Sequence, residues 1–446
     1  MLAVLNLKLE EVDTNEKRSK YTVSVIGCGQ KGILYANAFA DAGYKVICTD
    51  ADPSVIKKVA KGKTPFPEQE IECKLKSLIS TGQLTVTSEL KKAVSQSDII
   101  IIAVTAKVDD KKKTDYSKTV NTCKQVGAAL SQGVLVIYGG IAGLGFTEGT
   151  LKETLENTSG LKVGQDFGLA YSPIHILDAQ HTKSIADLEL KVVGIDKTSL
   201  DAASTILKTI TKKVKQISDV KTAEIATLFM VAKQDASMAL ANELAVFCES
   251  ANIDYFEVLK LLDLNDPSFW PTIVEEENKD EAYLLLESAE NLNAKLRLPA
   301  LARQINEDMV KHAVNLTQDA LRSGGKTLRR ARVAVLGTAN PTTATGIFVK
   351  MIELKGAKAS LYDPISKMGP LEWRVVKTSL NEAVEGADCI VILTGQEQFK
   401  HLNLKKLKAL MKTPSVIVDL IGIFEPQKVE TEGFIYCGLG RGTDKN

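Results

Sequence analysis

The chain has 446 residues, of which 44% are hydrophobic and 25% are charged, and its formal net charge is +1. This balance excludes a protein that coats nucleic acid, because no net positive field would attract phosphate. It also excludes an intrinsically disordered chain, because the apolar content is high enough to build a core. We expect no membrane partner, since the longest apolar run, Ile99 to Val104, falls far short of the roughly 20 residues of a spanning helix.

The seven cysteines and four histidines are scattered along the chain, without the spacing of a metal site or a disulfide framework. We therefore predict no bound metal and a reducing, cytoplasmic location. The N-terminal residues lack the basic start, apolar centre and small-residue cleavage site of a secretory signal.

The strongest local pattern begins at a β-branched run, Tyr21 to Ile26, which predicts a buried strand. A G-x-G-x-x-G sequence follows at Gly27-Cys28-Gly29-Gln30-Lys31-Gly32 and leads into helical periodicity from Ile33 to Ala42. A second predicted strand, Lys45 to Thr49, ends at Asp50. Strand, glycine turn, helix, strand and acid in this order predict dinucleotide binding.

Each glycine of this turn has a physical role. Gly27 permits the tight turn, Gly29 lets a pyrophosphate approach the backbone, and Gly32 lets the helix pack closely. Asp50 would accept hydrogen bonds from the ribose hydroxyls and repel a 2′-phosphate, which favours NAD over NADP. The residues predicted to contact the cofactor are Gly27, Gly29, Gln30, Lys31, Gly32, Asp50, Val104 and Thr105. The alternative is a Rossmann-type domain that keeps the turn for packing and binds no cofactor.

Alternating helices and strands continue beyond Asp50. Helices are predicted over Pro53 to Lys61 and Ile71 to Thr81, and strands over Ile99 to Val104, Gln132 to Tyr138 and Lys191 to Val193. From Val220 to Arg322 helical periodicity replaces the strand pattern. A linker at 323–326 then precedes a second α/β pattern with strands at Arg332 to Leu336, Lys358 to Tyr362, Cys389 to Thr394 and Ser415 to Leu420. Its first turn has one glycine, so it is not a second dinucleotide motif.

The predicted fold class is α/β, with two Rossmann-like doubly wound parallel sheets joined by a central helical region. The predicted domains are an N-terminal extension at 1–20, an NAD-binding Rossmann domain at 21–215, a central helical region at 216–322 and a C-terminal Rossmann-like domain at 323–446.

Segments spread over 21–442 resemble the UDP-glucose and UDP-N-acetylmannosamine dehydrogenase family. They are Thr64-Pro65-Phe66-Pro67-Glu68, Tyr171-Ser172-Pro173, Ser218 to Glu224, Ala239 to Glu243, Leu301 to Asn306, Asp419 to Phe424 and Gly438 to Gly442. The resemblance implies NAD as cofactor and a nucleotide sugar of the UDP-N-acetylhexosamine type as ligand, bound by the domain at 323–446. It further implies a homodimer formed through the central helix of the region at 216–322. It also implies a double oxidation of a sugar 6-hydroxyl to the acid, in which a cysteine thiolate captures the intermediate aldehyde.

The residues that the family uses for this chemistry are mostly replaced. The glutamate after Ser-Pro is Ile174, the catalytic lysine is Thr227 and the asparagine one turn later is Val231. Our alignment places Glu276 at the position of the nucleophilic cysteine, and no cysteine lies between Cys248 and Cys389.

Further replacements affect the nicotinamide side and the substrate-binding domain. The family's Pro-Thr-Pro is Thr105-Ala106-Lys107, and its Ser-Thr is Gly139-Gly140. In the C-terminal domain the Lys-Pro-x-Thr segment is reduced to 340–343, and the arginine of Asp-x-Arg is Ile421.

Three hypotheses about the catalytic activity of the chain follow from these replacements. The chain is an active NAD-dependent UDP-sugar 6-dehydrogenase, a family member that binds NAD without the standard double oxidation, or a repurposed single-step oxidoreductase. The third requires acid–base groups, for which His175, Glu276 and Asp280 are the candidates. The simpler interpretation of His175 is a loop histidine, and that of 275–277 is a solvated acidic turn.

Overall fold

A computed structural model describes residues 4–66, 69–109, 112–174, 184–264, 266–273, 279–337, 343–364 and 376–442. The chain forms two compact units. The first unit comprises Met1–Val231 with Tyr283–Ala294, and the second comprises Ala232–Ala282 with Lys295–Asn446.

The first unit is built on a sheet of eight strands in the order β10-β9-β8-β7-β4-β1-β2-β3. Neighbouring strands are parallel except for β8 and β9, which pair antiparallel. The strands are β1 (Thr22–Ile26), β2 (Lys45–Thr49), β3 (Leu84–Thr87), β4 (Ile99–Ile102), β7 (Leu135–Tyr138), β8 (Gly168–Tyr171), β9 (Glu189–Gly194) and β10 (Lys213–Gln216). A small hairpin of β5 (Lys107–Val108) and β6 (Thr114–Asp115) follows β4.

Helices cover both faces of this sheet, as expected for a doubly wound fold. They are α1 (Asn15–Arg18), α2 (Gln30–Asp41), α3 (Pro53–Val59), α4 (Gln69–Ser80), α5 (Leu90–Ser95), α6 (Ser117–Gly127), α7 (Lys152–Ser159) and α8 (Lys197–Leu207). One apolar core contains Phe39 of α2 and Leu75 of α4, and a separate core contains Val126 of α6 and Leu155 of α7. The four isoleucines of β4 are all buried, because a central parallel strand is covered on both faces.

Among the described residues, four α-helices lie in the region where helical periodicity replaces the strand pattern. They are α9 (Val220–Ser250), α10 (Tyr255–Leu261), α11 (Lys279–Asn291) and α12 (Arg297–Ser323). In the second unit α9 and α12 share a buried polar network, in which the Arg303 guanidinium donates to the Asp235 carboxylate over 2.7 Å and Asn306 bonds both Asp235 and Asn242.

The second unit also contains a parallel sheet of five strands in the order β12-β11-β13-β14-β15. The strands are β11 (Arg332–Leu336), β12 (Lys358–Tyr362), β13 (Cys389–Ile392), β14 (Val416–Asp419) and β15 (Ile435–Gly438). The accompanying helices are α13 (Ala344–Leu354), α14 (Leu380–Val384), α15 (Glu397–Lys400), α16 (Leu404–Leu410) and α17 (Pro426–Thr431). The α/β class, the two Rossmann-like sheets and the helical middle region are confirmed.

Candidate functional site

The glycine turn after β1 lies at the carboxyl edge of the first sheet. Gly27 has a φ of +97°, in the left-handed region, and its N–H donates to the Thr49 carbonyl over 2.8 Å. This bond ties the turn to the end of β2. Gly32 packs against the same turn, because a Cβ at Gly32 would lie 1.8 Å from the Gly27 carbonyl oxygen.

Gly29 differs from the other two glycines of the turn in having open space beside it. It is the N-cap of α2, and a Cβ built on it meets no atom within 4 Å. The first turn of α2 begins beside Gly29, and the backbone N–H groups of a helix N-terminus stabilise bound phosphate. This turn, residues 27–32, therefore fits the pyrophosphate of a dinucleotide and is called the phosphate turn.

Asp50 follows β2 and is held by two backbone amides. The N–H of Cys28 donates to its Oδ2 over 2.7 Å, and the N–H of Asp52 donates to its Oδ1 over 2.9 Å. Asp50 is half-buried, and each carboxylate oxygen keeps a second lone pair that a ribose hydroxyl could use. The structure thus places the predicted ribose acceptor beside the phosphate turn.

Val104 and Thr105 continue from the end of β4, next to β1. The Cγ2 atom of Val104 would lie 3.1 Å from a Cβ at Gly27, so Val104 packs on the phosphate turn. The Val104 carbonyl accepts a hydrogen bond from the Tyr138 hydroxyl at 3.1 Å. Because β1 and β4 flank the point where the strand order reverses, this is where a doubly wound sheet binds its ligand.

Helix α2 also contacts the ends of β7 and β8. The Tyr35 hydroxyl donates to the Ser172 carbonyl over 2.6 Å, and its Cε2 atom would lie 2.9 Å from a Cβ at Gly139. Burial raises the pKa of Tyr35, so its hydroxyl stays protonated. Lys31, one turn earlier in α2, is buried.

The loop that follows β7 is filled by atoms of the chain at the Gly140 position. A Cβ at Gly140 would lie 2.6 Å from the Val104 carbonyl oxygen and 2.8 Å from the Tyr138 hydroxyl. Burial raises the pKa of Tyr138 well above its usual value, so this hydroxyl remains a donor at neutral pH. The position aligned with the family's threonine therefore has no room for a larger side chain.

Glu224 of α9 secures the same loop, and sequence reasoning did not identify this role. It is fully buried and accepts the N–H of Gly145 at 2.6 Å and that of Thr147 at 2.8 Å. Burial raises the pKa of Glu224 and outweighs the lowering effect of the two backbone hydrogen bonds. The signal in the sequence is that Glu224 is the single acidic residue between Asp219 and Asp235.

Helix α11 contributes a second tether to this loop. The Ser288 hydroxyl accepts the N–H of Leu144 at 3.2 Å and donates to the Leu284 carbonyl at 2.6 Å. The loop is therefore held by side chains from two helices.

Two positions of α9 that the resemblance assigns to catalysis carry no ionisable group. The Thr227 hydroxyl donates to the Ala223 carbonyl over 2.9 Å, within its own helix. Val231 is buried. Ile174, at the position of the family's glutamate, is buried in the apolar core of the first unit.

Of the three acid–base candidates, Asp280 alone lies among the described residues. His175 and Glu276 lie outside the described residues. Asp280 lies in the first turn of α11, is half-buried and belongs to the second unit.

All seven cysteines are free thiols, and six of them are buried. Cys248 packs with Ala245, Tyr255 and Leu259, and burial raises the pKa of its thiol. Burial likewise raises the pKa of Cys123 and of Cys437 to about 12. Thiols in such surroundings are inert at neutral pH, because the thiolate is the nucleophile.

In the second unit, the carboxyl edge of the sheet carries Asp419 at the end of β14. This buried carboxylate accepts the N–H groups of Ile421, Gly422 and Phe424 at 3.1, 2.8 and 2.9 Å. Ile421, at the position of the family's arginine, thus helps to close a turn around Asp419. Residues 338–342, which include most of the altered segment at 340–343, lie outside the described residues.

Among the described residues, no group of three or more His, Cys, Asp or Glu side chains could hold a metal ion. No helix in the same part of the chain is long and apolar enough to cross a bilayer.

Comparison with family models matches residues 21–215 to the NAD binding domain of the UDP-glucose/GDP-mannose dehydrogenase family. Residues 343–426 match the UDP binding domain of the same family.

Two relatives extend the similarity over almost the whole chain. UDP-N-acetyl-D-mannosamine dehydrogenase from Pyrococcus horikoshii is 29% identical over 433 residues, which cover 94% of this chain and 99% of that protein. UDP-glucose 6-dehydrogenase from Rhizobium meliloti is 24% identical and covers 94% of this chain and 99% of its own length.

Solved structures show the same agreement. The structure of UDP-D-ManNAc dehydrogenase from Pyrococcus horikoshii has a TM-score of 0.80 at 29% identity and covers 94% of this chain and 99% of its own. NDP-N-acetyl-D-galactosaminuronic acid dehydrogenase from Methanosarcina mazei Go1 has a TM-score of 0.70 at 27% identity, with 98% of both chains covered.

Proposed function

Because the chain belongs to the UDP-glucose/GDP-mannose dehydrogenase family, we propose that it binds NAD and a nucleotide sugar without completing the double oxidation. NAD is the cofactor of the family's N-terminal domain. When bound, it supplies a hydride acceptor, and Gly29, the start of α2 and Asp50 are the groups that would hold it.

The distribution of cysteines carries this proposal. The second oxidation requires a thiolate that captures the aldehyde, so that a thioester can form and be hydrolysed. No cysteine lies between Cys248 and Cys389, the segment that contains the aligned nucleophile position. Cys248 itself is buried among apolar side chains. A carboxylate at Glu276 could not form the thiohemiacetal.

The described residues at the other aligned positions support the same conclusion. The aligned lysine is Thr227, whose hydroxyl is engaged by its own helix, and the aligned asparagine is the buried Val231. At these two aligned positions α9 therefore offers no cationic or amide partner to the developing oxyanion. At Gly140 the place of the threonine is taken by the Val104 carbonyl and the Tyr138 hydroxyl.

For the ligand, we propose a UDP-sugar of the N-acetylhexosamine type. The match of residues 343–426 to a UDP binding domain supports the nucleotide part. The names of the relatives from Pyrococcus horikoshii and Methanosarcina mazei support the N-acetylated sugar.

We further propose a homodimer in which α9 packs against its own copy. Its exposed face carries Phe229 and Phe247 near the two ends and the exposed charges of Lys233 and Glu243 between them. A two-fold axis perpendicular to α9 at the level of Met238 would place Phe229 of one copy opposite Phe247 of the other. The same axis would place Lys233 opposite Glu243. Such self-complementarity is the requirement for a symmetric interface.

The predicted domain boundaries, with an extension at 1–20 and a helical region at 216–322, and the cytoplasmic location remain predictions.

The test is to mix purified protein with NAD and a panel of UDP-sugars, including UDP-glucose, UDP-N-acetylglucosamine and UDP-N-acetylmannosamine. NADH absorbance and NAD binding are followed together, with a cysteine-containing UDP-sugar dehydrogenase as the positive control. We expect NAD and UDP-sugar binding without NADH formation. Two NADH per sugar would refute the proposal, and one NADH per sugar would identify a single-step oxidoreductase instead.

A further inference from the structure

Exposed cations gather at one edge of the second sheet, the edge where its parallel strands begin. Arg329, Arg330 and Arg332 lie at the start of β11, and all three are exposed. Lys358 begins β12 and is the register partner of Arg332, and Lys355 lies between α13 and β12. Both lysines are exposed as well. These five cations are called the basic edge.

Contacts between the segments hold the basic edge together as one surface. The N–H of Arg330 donates to the Gly356 carbonyl over 2.8 Å, and the Cγ atom of Arg329 would lie 3.2 Å from a Cβ at Gly356. The Nη1 atom of Arg332 would lie 3.0 Å from a Cβ at Gly386, in the turn before β13. The cations therefore cover the beginnings of neighbouring strands, which lie about 5 Å apart in a sheet.

The described carboxylates near these strand ends do not balance the cations. Asp388 is buried, accepts the N–H of Arg332 at 2.8 Å and pairs with Lys326 at 3.1 Å, so its charge is already matched. Glu385 is exposed in the turn before β13, and Glu353 is half-buried in the last turn of α13. The charge that this edge presents to solvent is therefore mainly positive.

Stabilisation of the fold accounts for only part of this cluster. A cation next to the last turn of a helix is favoured by the helix dipole, and Lys355, which follows α13, meets that condition. The arginines at 329–332 lie at the start of a strand. The chain has nine arginines among its 56 Lys and Arg residues, and three of the nine lie in these four positions. Because guanidinium binds phosphate in a bidentate manner, this concentration of arginine indicates a phosphate-bearing partner.

An exposed leucine lies beside these cations. Leu354 ends α13 directly before Lys355, and 87% of its surface is exposed, more than for any other large apolar side chain among the described residues. The phosphate backbone of a nucleic acid offers no apolar layer to such a side chain. A bilayer offers the acyl boundary beneath its headgroups, so an apolar side chain next to cations fits a phospholipid surface better.

We propose that the basic edge binds the surface of a bilayer that contains anionic phospholipids, with the guanidinium groups on headgroup phosphates and Leu354 at the acyl boundary. Each Lys or Arg near such a surface strengthens binding about fivefold, so the five together give a reversible association that salt weakens. The contact is peripheral and needs no spanning segment. It departs from the expectation of no membrane partner, which was based on the length of apolar runs, and it does not depend on the proposed function.

The test is co-sedimentation of the intact chain with vesicles of phosphatidylcholine alone and of phosphatidylcholine with one third phosphatidylglycerol. We expect binding to the anionic vesicles only, and release at about 0.5 M salt, which screens the charges. Arg329→Glu/Arg330→Glu should weaken binding at least about 30-fold, and Leu354→Ser should weaken it several-fold without removing the salt dependence. The matched control, Lys118→Glu/Lys124→Glu on the exposed surface of α6, should bind like the unaltered protein.

Three results would overturn the proposal. One is equal binding to both kinds of vesicle, or binding to neither. Another is a control pair that weakens binding as much as the arginine pair, which would mean that net charge alone matters. The third is tighter binding to duplex DNA than to anionic vesicles at equal phosphate concentration, unaffected by Leu354→Ser, which would assign the basic edge to nucleic acid.

A second pair of substitutions keeps the test valid if the arginine pair unfolds. Lys355→Glu/Lys358→Glu removes the other two cations of the basic edge and should weaken vesicle binding by a similar factor, with folding checked by circular dichroism. NADH formation from a UDP-sugar would refute the proposed function without altering vesicle binding.

Discussion

Two glycine-rich turns lie at the carboxyl edge of the same sheet in the first unit, and their surroundings are opposite. Around Gly29, after β1, the chain leaves open space bordered by the amides of α2. Around Gly140, after β7, the Val104 carbonyl and the Tyr138 hydroxyl occupy the space that a side chain would need. Glycine therefore indicates access for a ligand in one turn and close packing of the chain against itself in the other.

This contrast reflects the different contacts that hold the two turns. The phosphate turn is held by the N–H of Gly27 on the Thr49 carbonyl and by the N–H of Cys28 on Asp50. The loop after β7 is held by Glu224 and Ser288, which accept hydrogen bonds from its backbone N–H groups.

The largest expected effect tests the packing of the phosphate turn. Gly32→Ala would place a methyl group 1.8 Å from the Gly27 carbonyl oxygen, so helix and turn must separate. We expect a loss of about 3 kcal/mol in the free energy of unfolding, measured by urea denaturation, and no measurable NAD binding.

The matched substitution is Gly29→Ala, where a Cβ meets no atom within 4 Å and φ is −69°. It should change the free energy of unfolding by no more than about 0.5 kcal/mol. It should weaken the binding of NAD, because the methyl group enters the space of the phosphate. Equal destabilisation by both variants would contradict the contrast between the two glycines.

A second test introduces threonine, the family's residue, at Gly140 in the loop after β7. Gly140→Thr would press its Cβ against the Val104 carbonyl at 2.6 Å and displace the Tyr138 hydroxyl. We expect destabilisation by about 2 kcal/mol, seen as a lower denaturation midpoint, and no gain in NADH formation. A stable Gly140→Thr protein would show that the loop opens easily, which would remove the difference between the two turns.

A third test concerns the tether at Glu224. Glu224→Gln keeps one acceptor oxygen but turns an NH₂ group towards one of the two backbone N–H groups, at a cost of about 1 kcal/mol. Burial raises the pKa of Glu224 above 4.5, so the folded state holds this proton more tightly than the unfolded state. The resulting stabilisation is complete below that pH and is lost as the pH rises through the raised pKa.

We therefore expect the stability deficit of Glu224→Gln, measured by denaturation at several pH values, to shrink as the pH rises above 4.5. Glu153→Gln on the exposed surface of α7 serves as the control and should show no such trend. A deficit that grows with pH would mean that the two N–H bonds outweigh the cost of burying the carboxylate.

The smallest expected effect concerns the proposed pairing along α9. Lys233→Glu would place like charges opposite each other if Lys233 faces Glu243 of the second copy, and exposed pairs contribute about 0.5 kcal/mol each. We expect a dimer dissociation constant several-fold higher in sedimentation experiments. The double variant Lys233→Glu/Glu243→Lys should restore it, and a double variant weaker than either single variant would exclude this register.

The sequence predicted elements best where a local pattern determines the structure. The strands at Lys45–Thr49, Arg332–Leu336 and Lys358–Tyr362 have the predicted bounds, because apolar runs bordered by turn residues define them. Helix α2 begins at Gln30 instead of Ile33, because Gly29 is its N-cap and its first turn is polar. The hairpin of β5 and β6 was not predicted, since two-residue strands have no periodicity.

The candidate site divides in the same way. The predicted placement of Asp50 beside the turn follows from the strand–turn–helix–strand order, and Cys28 and Asp50 do meet. Closure of the loop at Gly140 and its tether to Glu224 depend on contacts between residues far apart in the chain, which no local pattern encodes. The roles of His175 and Glu276 remain predictions.

The seven free thiols differ in exposure, so their rates of labelling can report local opening of the folded protein. Cys73 on α4 is the one exposed thiol, so a maleimide dye should label that site alone without any mutagenesis. Cys28, inside the phosphate turn, can react only when the turn opens. The rate at which the label reaches Cys28, located by peptide mass spectrometry with and without cofactor, would measure how often that turn opens in the folded protein.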